Sequence, residues 1–310
     1  MKVVFMGTPH AAVASLDRLM LDGHEVVGVY TQPDKPSGRG NKIAFSPVKR
    51  FAIDHELSVL QPSKIKTSEA LAEFTALGAE VAVVVAYGRI LPETFLKAFP
   101  MGAINLHFSL LPKYRGAAPV NWALVHGDQR TGVTTMQMDA GLDTGAILMQ
   151  QETVIGDDEY AIELMQRLSS LGAEVLSETL TNYKSIIPRK QDDAPATPAP
   201  IMKKEDGLID WNLSSRDISN RVRGFQPFPT SFTFLHGKKL TIWRSNVAEL
   251  PPTLGSPGEI IEAVKDRFVV LCGEDSALEI TELQLEGKRR VNARDFVNGV
   301  RPGVGELLGN

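Results

Sequence analysis

The stretch KVVFMGTPHAAVASLDRLMLDGHEVVGVY, residues 2–30, decides the fold class. Its first five residues, Lys2-Val3-Val4-Phe5-Met6, form an apolar β-type run that ends at Gly7. Val13, Leu16, Leu19 and Met20 then recur at helical spacing between Ala12 and Leu21, and Gly23 stops that helix. Glu25 to Tyr30 is a second β-rich run. A strand, a helix and a strand at this spacing predict two parallel strands joined by a right-handed crossover.

Working outward, the pattern continues. Ser68 to Leu77 reads as a helix, and Glu80 to Ala86 as a strand apolar on both faces, as central parallel strands are. Ala103 to His107, Met136 to Met138 and Ile147 to Thr153 add three strands. Tyr160 to Tyr183 is a long amphipathic helix, with Ile162, Met165, Leu168, Leu171, Val175, Leu176 and Leu180 on or near one face. Residues 1–187 therefore predict an α/β domain, doubly wound around a parallel, Rossmann-like sheet.

The texture changes at Pro188. Pro188 to Pro200 holds four prolines and no large apolar residue, so residues 188–204 read as an extended linker. In residues 205–310 short β-type runs recur at Ser231–Leu235, Lys239–Arg244, Gly258–Val264, Phe268–Leu271 and Leu278–Leu285. A helix, Ser215 to Val222, precedes them. This predicts a small β-barrel, OB-like, with a helix at its entry.

Composition agrees with two domains. The chain has 310 residues, 43% of them hydrophobic, and chains of about 300 residues tend to split. No run of 18 apolar residues occurs, which argues against a membrane span, and the apolar N-terminal run is too short for a signal peptide. The single cysteine, Cys272, excludes an internal disulfide framework and any multi-cysteine metal site, and it reads as a buried strand residue. A cytoplasmic protein is the expectation. Net charge is −4, from 33 Lys+Arg and 37 Asp+Glu. Residues 203–310 carry 15 of each sign, so the −4 lies in residues 1–202. Inside that acidic part sits a basic island. Thr31 to Arg50 contains Lys35, Arg39, Lys42, Lys49 and Arg50 against Asp34, a net of +4.

A doubly wound domain invites a nucleotide, but the first strand–helix turn is Gly7-Thr8-Pro9-His10-Ala11-Ala12. It has one glycine of the dinucleotide fingerprint, and Pro9 removes a backbone donor. Bound NAD or ATP is not expected. The chemistry-bearing region is Ile104 to Gly145. Asn105 and His107 are two apart on a strand, so they share a face. They stand at the carboxyl end of that strand, where open α/β sheets bind ligands. An amide and an imidazole there can hold a developing oxyanion and move a proton. Met138-Asp139-Ala140-Gly141-Leu142-Asp143-Thr144-Gly145 supplies carboxylates that could orient the imidazole. On spacing alone, a satisfied polar pair is the commoner reading of Asn105 and His107, and a turn or cap residue that of an aspartate in a glycine-rich loop.

A resemblance shifts that balance. Asn105-Leu106-His107, followed by Ser109-Leu110-Leu111-Pro112-Lys113-Tyr114-Arg115-Gly116-Ala117-Ala118-Pro119, resembles the signature of the 10-formyltetrahydrofolate-dependent formyltransferases. Asp139 to Gly145 resembles their second motif. Val4 to Pro9, Thr31 to Gly40 and Arg223 to Pro229 agree with the members that formylate methionine on initiator tRNA. The resemblance covers nearly the whole chain. It implies Asn105, His107 and Asp143 as the catalytic trio, and 10-formyltetrahydrofolate as co-substrate, with no metal. It implies a folate cleft lined by Ser109, Leu110, Leu111 and Pro112 and by Tyr87, Gly88 and Ile90. It implies initiator methionyl-tRNA as partner, no membrane, and a monomer. The basic island matches a loop that approaches the acceptor end, with Lys35, Arg39 and Lys42 as contacts. Arg39 matches the arginine that enters the stem end, where a guanidinium can stack on a base and bind phosphate. On the residues alone, such a loop is also what a solvated charge cluster looks like. Members acting on sugar-nucleotide amines or glycinamide ribonucleotide share the trio and generally lack this loop. Two positions depart from the family pattern: His10-Ala11-Ala12 stands in place of Asp-Phe-Ala, and Phe108 where a small residue or proline is usual.

Overall fold

Runs rich in valine make the central strands, because β-branched side chains are stiff at χ1 and pack well on a pleated surface. The computed structural model describes residues 1–37, 42–249 and 255–309. The chain divides into two compact units. One comprises Met1–Pro119, Arg130–Val154 and Leu164–Pro200; the other comprises Val120–Gln129, Ile155–Glu163 and Ile201–Asn310.

In chain order, the elements up to residue 200 are β1 Lys2–Gly7, α1 Val13–Leu21, β2 Glu25–Tyr30, β3 Lys35–Ser37, β4 Lys42–Ala44, α2 Pro47–Asp54, β5 Val59–Leu60, α3 Ser68–Ala76, β6 Val81–Val85, α4 Glu93–Leu96, β7 Ala103–His107, β8 Arg115–Gly116, α5 Pro119–Val125, β9 Arg130–Gln137, β10 Ile147–Val154, α6 Ala161–Asn182 and β11 Pro198–Ala199. Seven strands of the first unit form one sheet in the order β10-β9-β7-β6-β1-β2-β5. The five from β7 to β5 are parallel, with Phe5 opposite both Val29 and Val83, and Val83 opposite Ile104. The chain leaves β1 first toward β2 and later toward β6, so the topological switch lies between β1 and β6. Ligands of such sheets bind at that switch, outside the strands' carboxyl ends.

The parallel expectation holds for those five strands; β9 is reversed and pairs antiparallel with both β7 and β10. β9 is also longer than Met136–Met138. Gly132 interrupts its β-type pattern, yet a Cβ there would collide with the Gln151 carbonyl and Leu110. The glycine is a close-approach residue inside the strand. On one face of the sheet, Met6, Val84 and Ala103 share a core with Phe74 of α3 and Phe95 of α4. Leu106 lies three residues after Ala103 and faces the other way. There it meets Gly172 of α6, and Thr135 of β9 bonds Thr179 of α6 at 2.7 Å. Asn105 and His107 thus fall on the Ala103 face.

The second unit holds α7 Ser215–Gly224, β12 Ser231–Leu235, β13 Lys238–Ala248, β14 Ile260–Val264, β15 Arg267–Leu271, β16 Ala277–Leu285, β17 Val291–Asn292 and α8 Ala293–Val300. Its strands form an antiparallel sheet, β12-β13-β16-β15-β14, with β17 on β16. Trp211, Ile218, Val222, Leu240, Phe268, Ile280 and Phe296 fill one core against it. Residues near the C-terminus reach both edges of this sheet. Gly305 and Leu308 donate to Ile260 and Gly258 on the β14 side, and Gly309 donates to Phe234 of β12, each at 2.8 Å. Cys272 is buried and bonds the Val270 carbonyl, and burial pushes its thiol up to about 12. Among the described residues, no helix is long and apolar enough to cross a membrane.

Candidate active site

β7 delivers Asn105 and His107 to the carboxyl edge of the first unit's sheet. Asn105 Nδ2 donates to the Val84 carbonyl of β6, its register partner, at 3.1 Å. One N–H of that amide is then still available, and Oδ1 is buried with no hydrogen-bond partner. A buried acceptor without a donor costs about 1–3 kcal/mol. A ligand N–H or O–H would meet that need.

His107 is 6% exposed. Its Nε2 lies 2.9 Å from the backbone oxygen of Tyr114. A carbonyl can only accept, so Nε2 carries the proton. Nδ1 faces Asp143 Oδ2 at 3.7 Å, just beyond a direct hydrogen bond. The same oxygen accepts from the Gly116 N–H at 2.8 Å. The β9–β10 loop that carries Asp143 starts beside Ile104 and ends beside Met136, yet it reaches the His107 side chain. To do so it folds back along β7. Asp139 Oδ1 shapes the loop by accepting from the Gly141 N–H at 3.0 Å and the Thr144 hydroxyl at 2.7 Å. Asp143 itself sits at φ +53°, a left-handed backbone that only glycine adopts freely.

The residues of the predicted cleft divide by placement. Ser109 is fully buried and donates to the Lys113 carbonyl at 2.6 Å. Leu110 packs over Gly132, and Leu111 is buried with Met136 and Ile147. Pro112 is half-buried beside them. These four build the turn under His107. Tyr87 and Gly88 border a cavity of about 400 Å³ at the carboxyl ends of β1, β2 and β6, together with Thr8, Pro9, Gln32, Pro33, Asp34, Ala44, Ser46 and Ala86. The Tyr87 ring belongs to the sheet core, and burial pushes its phenol up. Its carbonyl accepts from Gln32 and Thr8 at 3.1 and 3.3 Å. Gly88 is at φ +76°, and a Cβ there would lie 2.5 Å from Gln32 Nε2. Ile90 is 72% exposed beside this turn. Phe108 is buried, so its bulk turns into the unit.

Within the basic island β3 and β4 pair as the arms of a hairpin, and Pro47 to Arg50 begin α2. Lys35 lies on β3 opposite Ala44, Lys42 lies on β4 opposite Ser37, and Arg39 lies outside the described residues. Lys49 differs from its sequence reading. Its Nζ donates to Asp34 Oδ2 at 2.5 Å and to Gln61 Oε1 at 2.7 Å, so its charge is held inside the hairpin's base. Three residues without an assigned role stand out. Gln32 closes the Tyr87–Gly88 turn. Gln191, from the proline-rich stretch, donates to the carbonyls of Asp143 and Gly145, and Arg115 donates to Gln191.

An amide with a free N–H, an imidazole and a facing carboxylate at a Rossmann-type strand end can hold a developing oxyanion and move a proton, which is chemistry that group-transfer enzymes use. The family follows from comparison. Residues 1–180 match the formyl transferase family and residues 201–301 match the formyl transferase C-terminal domain. The chain belongs to the formyl transferase family. It is 48% identical over 312 residues to the methionyl-tRNA formyltransferase of Geobacter metallireducens, covering 100% of this chain and 99% of that protein. It is 49% identical over 313 residues to that of Caldanaerobacter subterraneus subsp. tengcongensis, covering 99% and 100%. Among solved structures it shares its fold with WlaRD, a sugar 3N-formyl transferase crystallised with dTDP and 5-N-formyl-THF, at TM-score 0.68 and 19% identity over 93% of this chain and 99% of that one. HypX from Aquifex aeolicus in complex with tetrahydrofolic acid matches at TM-score 0.66 and 16% identity, over 99% of this chain and 48% of that one.

Proposed function

We propose that this enzyme transfers the formyl group of 10-formyltetrahydrofolate to the α-amine of methionine on charged initiator tRNA, in the cytoplasm and as a monomer. The observation that carries the reading is the meeting of Asn105, His107 and Asp143 at the end of β7, within a chain similar over its whole length to methionyl-tRNA formyltransferases.

The neutral amine attacks the formyl carbon, whose carbonyl oxygen becomes an oxyanion. The bond from that carbon to the folate nitrogen then breaks. The amine gives up one proton and the folate nitrogen gains one, so the step exchanges a formyl group for a proton. The free N–H of Asn105 is placed to hold the oxyanion, and its unpartnered Oδ1 to accept from the attacking amine. His107 holds its ring by Nε2 on Tyr114 and has Nδ1 to take and return the proton, with Asp143 facing the imidazolium. The cleft of Tyr87, Gly88, Ile90 and Ser109 to Pro112 takes the folate, and Lys35, Arg39 and Lys42 meet the acceptor stem.

Purified protein incubated with 10-formyltetrahydrofolate and either methionyl-tRNA or small amines tests this. Transfer to methionyl-tRNA alone supports the reading. Transfer to a sugar amine or to glycinamide ribonucleotide replaces its acceptor, and tRNA binding without transfer overturns it.

A further inference from the structure

Gln191 sits in the proline-rich stretch whose composition reads as a linker, yet it is 6% exposed. All of its hydrogen-bonding capacity is used. Nε2 donates to the Asp143 carbonyl at 2.8 Å and to the Gly145 carbonyl at 2.7 Å. Oε1 accepts from Arg115 Nε at 3.1 Å and Nη2 at 2.8 Å. A primary amide has two donors and two acceptor sites, so nothing is left over. The same Nη2 also meets Asp193 at 2.8 Å, two residues further along the stretch.

The stretch is fixed on the other side of Gln191 as well. β11 runs parallel to β8, and the Arg115 and Ala117 N–H groups donate to Thr197 and Ala199 at 2.8 Å. Gly116, at φ +129°, allows the approach, since a Cβ there would lie 2.5 Å from the Ala199 oxygen. Gly116 is also the donor to Asp143 Oδ2. Both ends of Asp143, carboxylate and carbonyl, are thus gripped by one assembly of β8 and the proline-rich stretch. Asp143 needs this grip because its left-handed backbone is costly on its own account.

We propose that Gln191, clamped by Arg115, is a positioning residue for catalysis: it holds the Asp143 loop in the strained form that keeps the carboxylate on His107. The proline-rich stretch, which belongs to the first unit, therefore helps to position the Asp143 carboxylate. Gln191 touches neither His107 nor the reacting atoms; it acts through Asp143. This rests on the formyl-transfer reading of the site.

The test is a double-mutant cycle on the full chain, measured with the formyl donor and whichever amine the wild-type enzyme accepts. Gln191→Ala should lower kcat at least tenfold, leave KM for both substrates within about twofold, and displace the pH profile of kcat. Gln191→Met keeps the side chain's bulk, guards against collapse of the stretch, and should do the same. Combined with Asp143→Asn, neither variant should lower kcat further, because the residue they act through is already lost. Kcat within twofold of wild type in both, an unmoved pH profile, or a full multiplicative loss on the Asp143→Asn background overturns the proposal. A wild-type enzyme that transfers no formyl group would instead overturn the reading of the function.

Discussion

Asp143 pays a backbone cost to put its carboxylate where glycine would fit more easily. Strain of this kind persists only where surroundings over-determine it, and here they come from Gly116 and Gln191. Asn105 and His107 are held differently, each by a single backbone carbonyl, Val84 and Tyr114. Truncating either removes the polar group to which the proposed mechanism assigns the chemistry. Asn105→Ala or His107→Ala is expected to lower the turnover rate on the order of a hundredfold or more, as for loss of one oxyanion donor, with kcat as the measurement. The two-residue spacing at a strand end singles out Asn105 and His107, but on spacing alone a satisfied polar pair is the commoner reading, and the catalytic role proposed for them and for Asp143 comes from motif resemblance. Gln191 was not legible. A glutamine among prolines carries no periodicity, and its partners lie 46 to 76 residues away in sequence.

At the scale of elements, the hairpin of β3 and β4 is anchored at its base. Asp34 and Lys49 pair there, and Gln61 of the segment after β5 bridges both, donating to Asp34 at 3.0 Å. The hydrogen bond from Lys49, then that from Gln61, holds the Asp34 carboxyl below its ordinary 3.8. A lowered folded-state value means stability that is present above the ordinary value and lost as pH falls through the lowered one. Lys49→Met should therefore unfold at a lower temperature than wild type near neutral pH, and the gap should narrow as pH falls past the ordinary carboxyl value and through the lowered one, checked by thermal unfolding across pH. The charge pattern of residues 31–50 exposed the basic loop but not which lysine is spent inside it, since pairing depends on contacts across 12 to 15 residues. α8 was overlooked for a different reason. Ala293, Phe296 and Val297 have helical spacing, but Asn298-Gly299 breaks the pattern within eight residues. Its N-cap, the Asn292 side chain accepting from Asp295, and burial of Phe296 stabilise a helix too short to stand alone.

For the whole molecule, net charge and charge placement say different things. The −4 of the chain concerns solubility. In residues 31–50 the Lys49–Asp34 pair cancels, so the island's +4 rests on Lys35, Arg39, Lys42 and Arg50. Four cations meeting phosphates would release counterions, so affinity for charged tRNA should fall steeply with salt. Filter binding across a salt series checks this, and a flat profile removes the loop from the interface. The change of sequence texture at the prolines suggests two domains, but the observed units are not cut at one point: Val120–Gln129 and Ile155–Glu163 count with the second and Leu164–Pro200 with the first. How the second sheet is finished was not legible, because Gly305, Leu308 and Gly309 look like an ordinary glycine-rich end. They bind β14 and β12, which are opposite edges of that sheet. Deleting residues 304–310 exposes two strand edges at once and should yield a protein that aggregates on mild warming, followed by light scattering. The same bonds impose an order on synthesis. Phe234 is made long before Gly309, so during synthesis the β12 edge waits without this partner until the segment from Gly305 to Gly309 has left the ribosome.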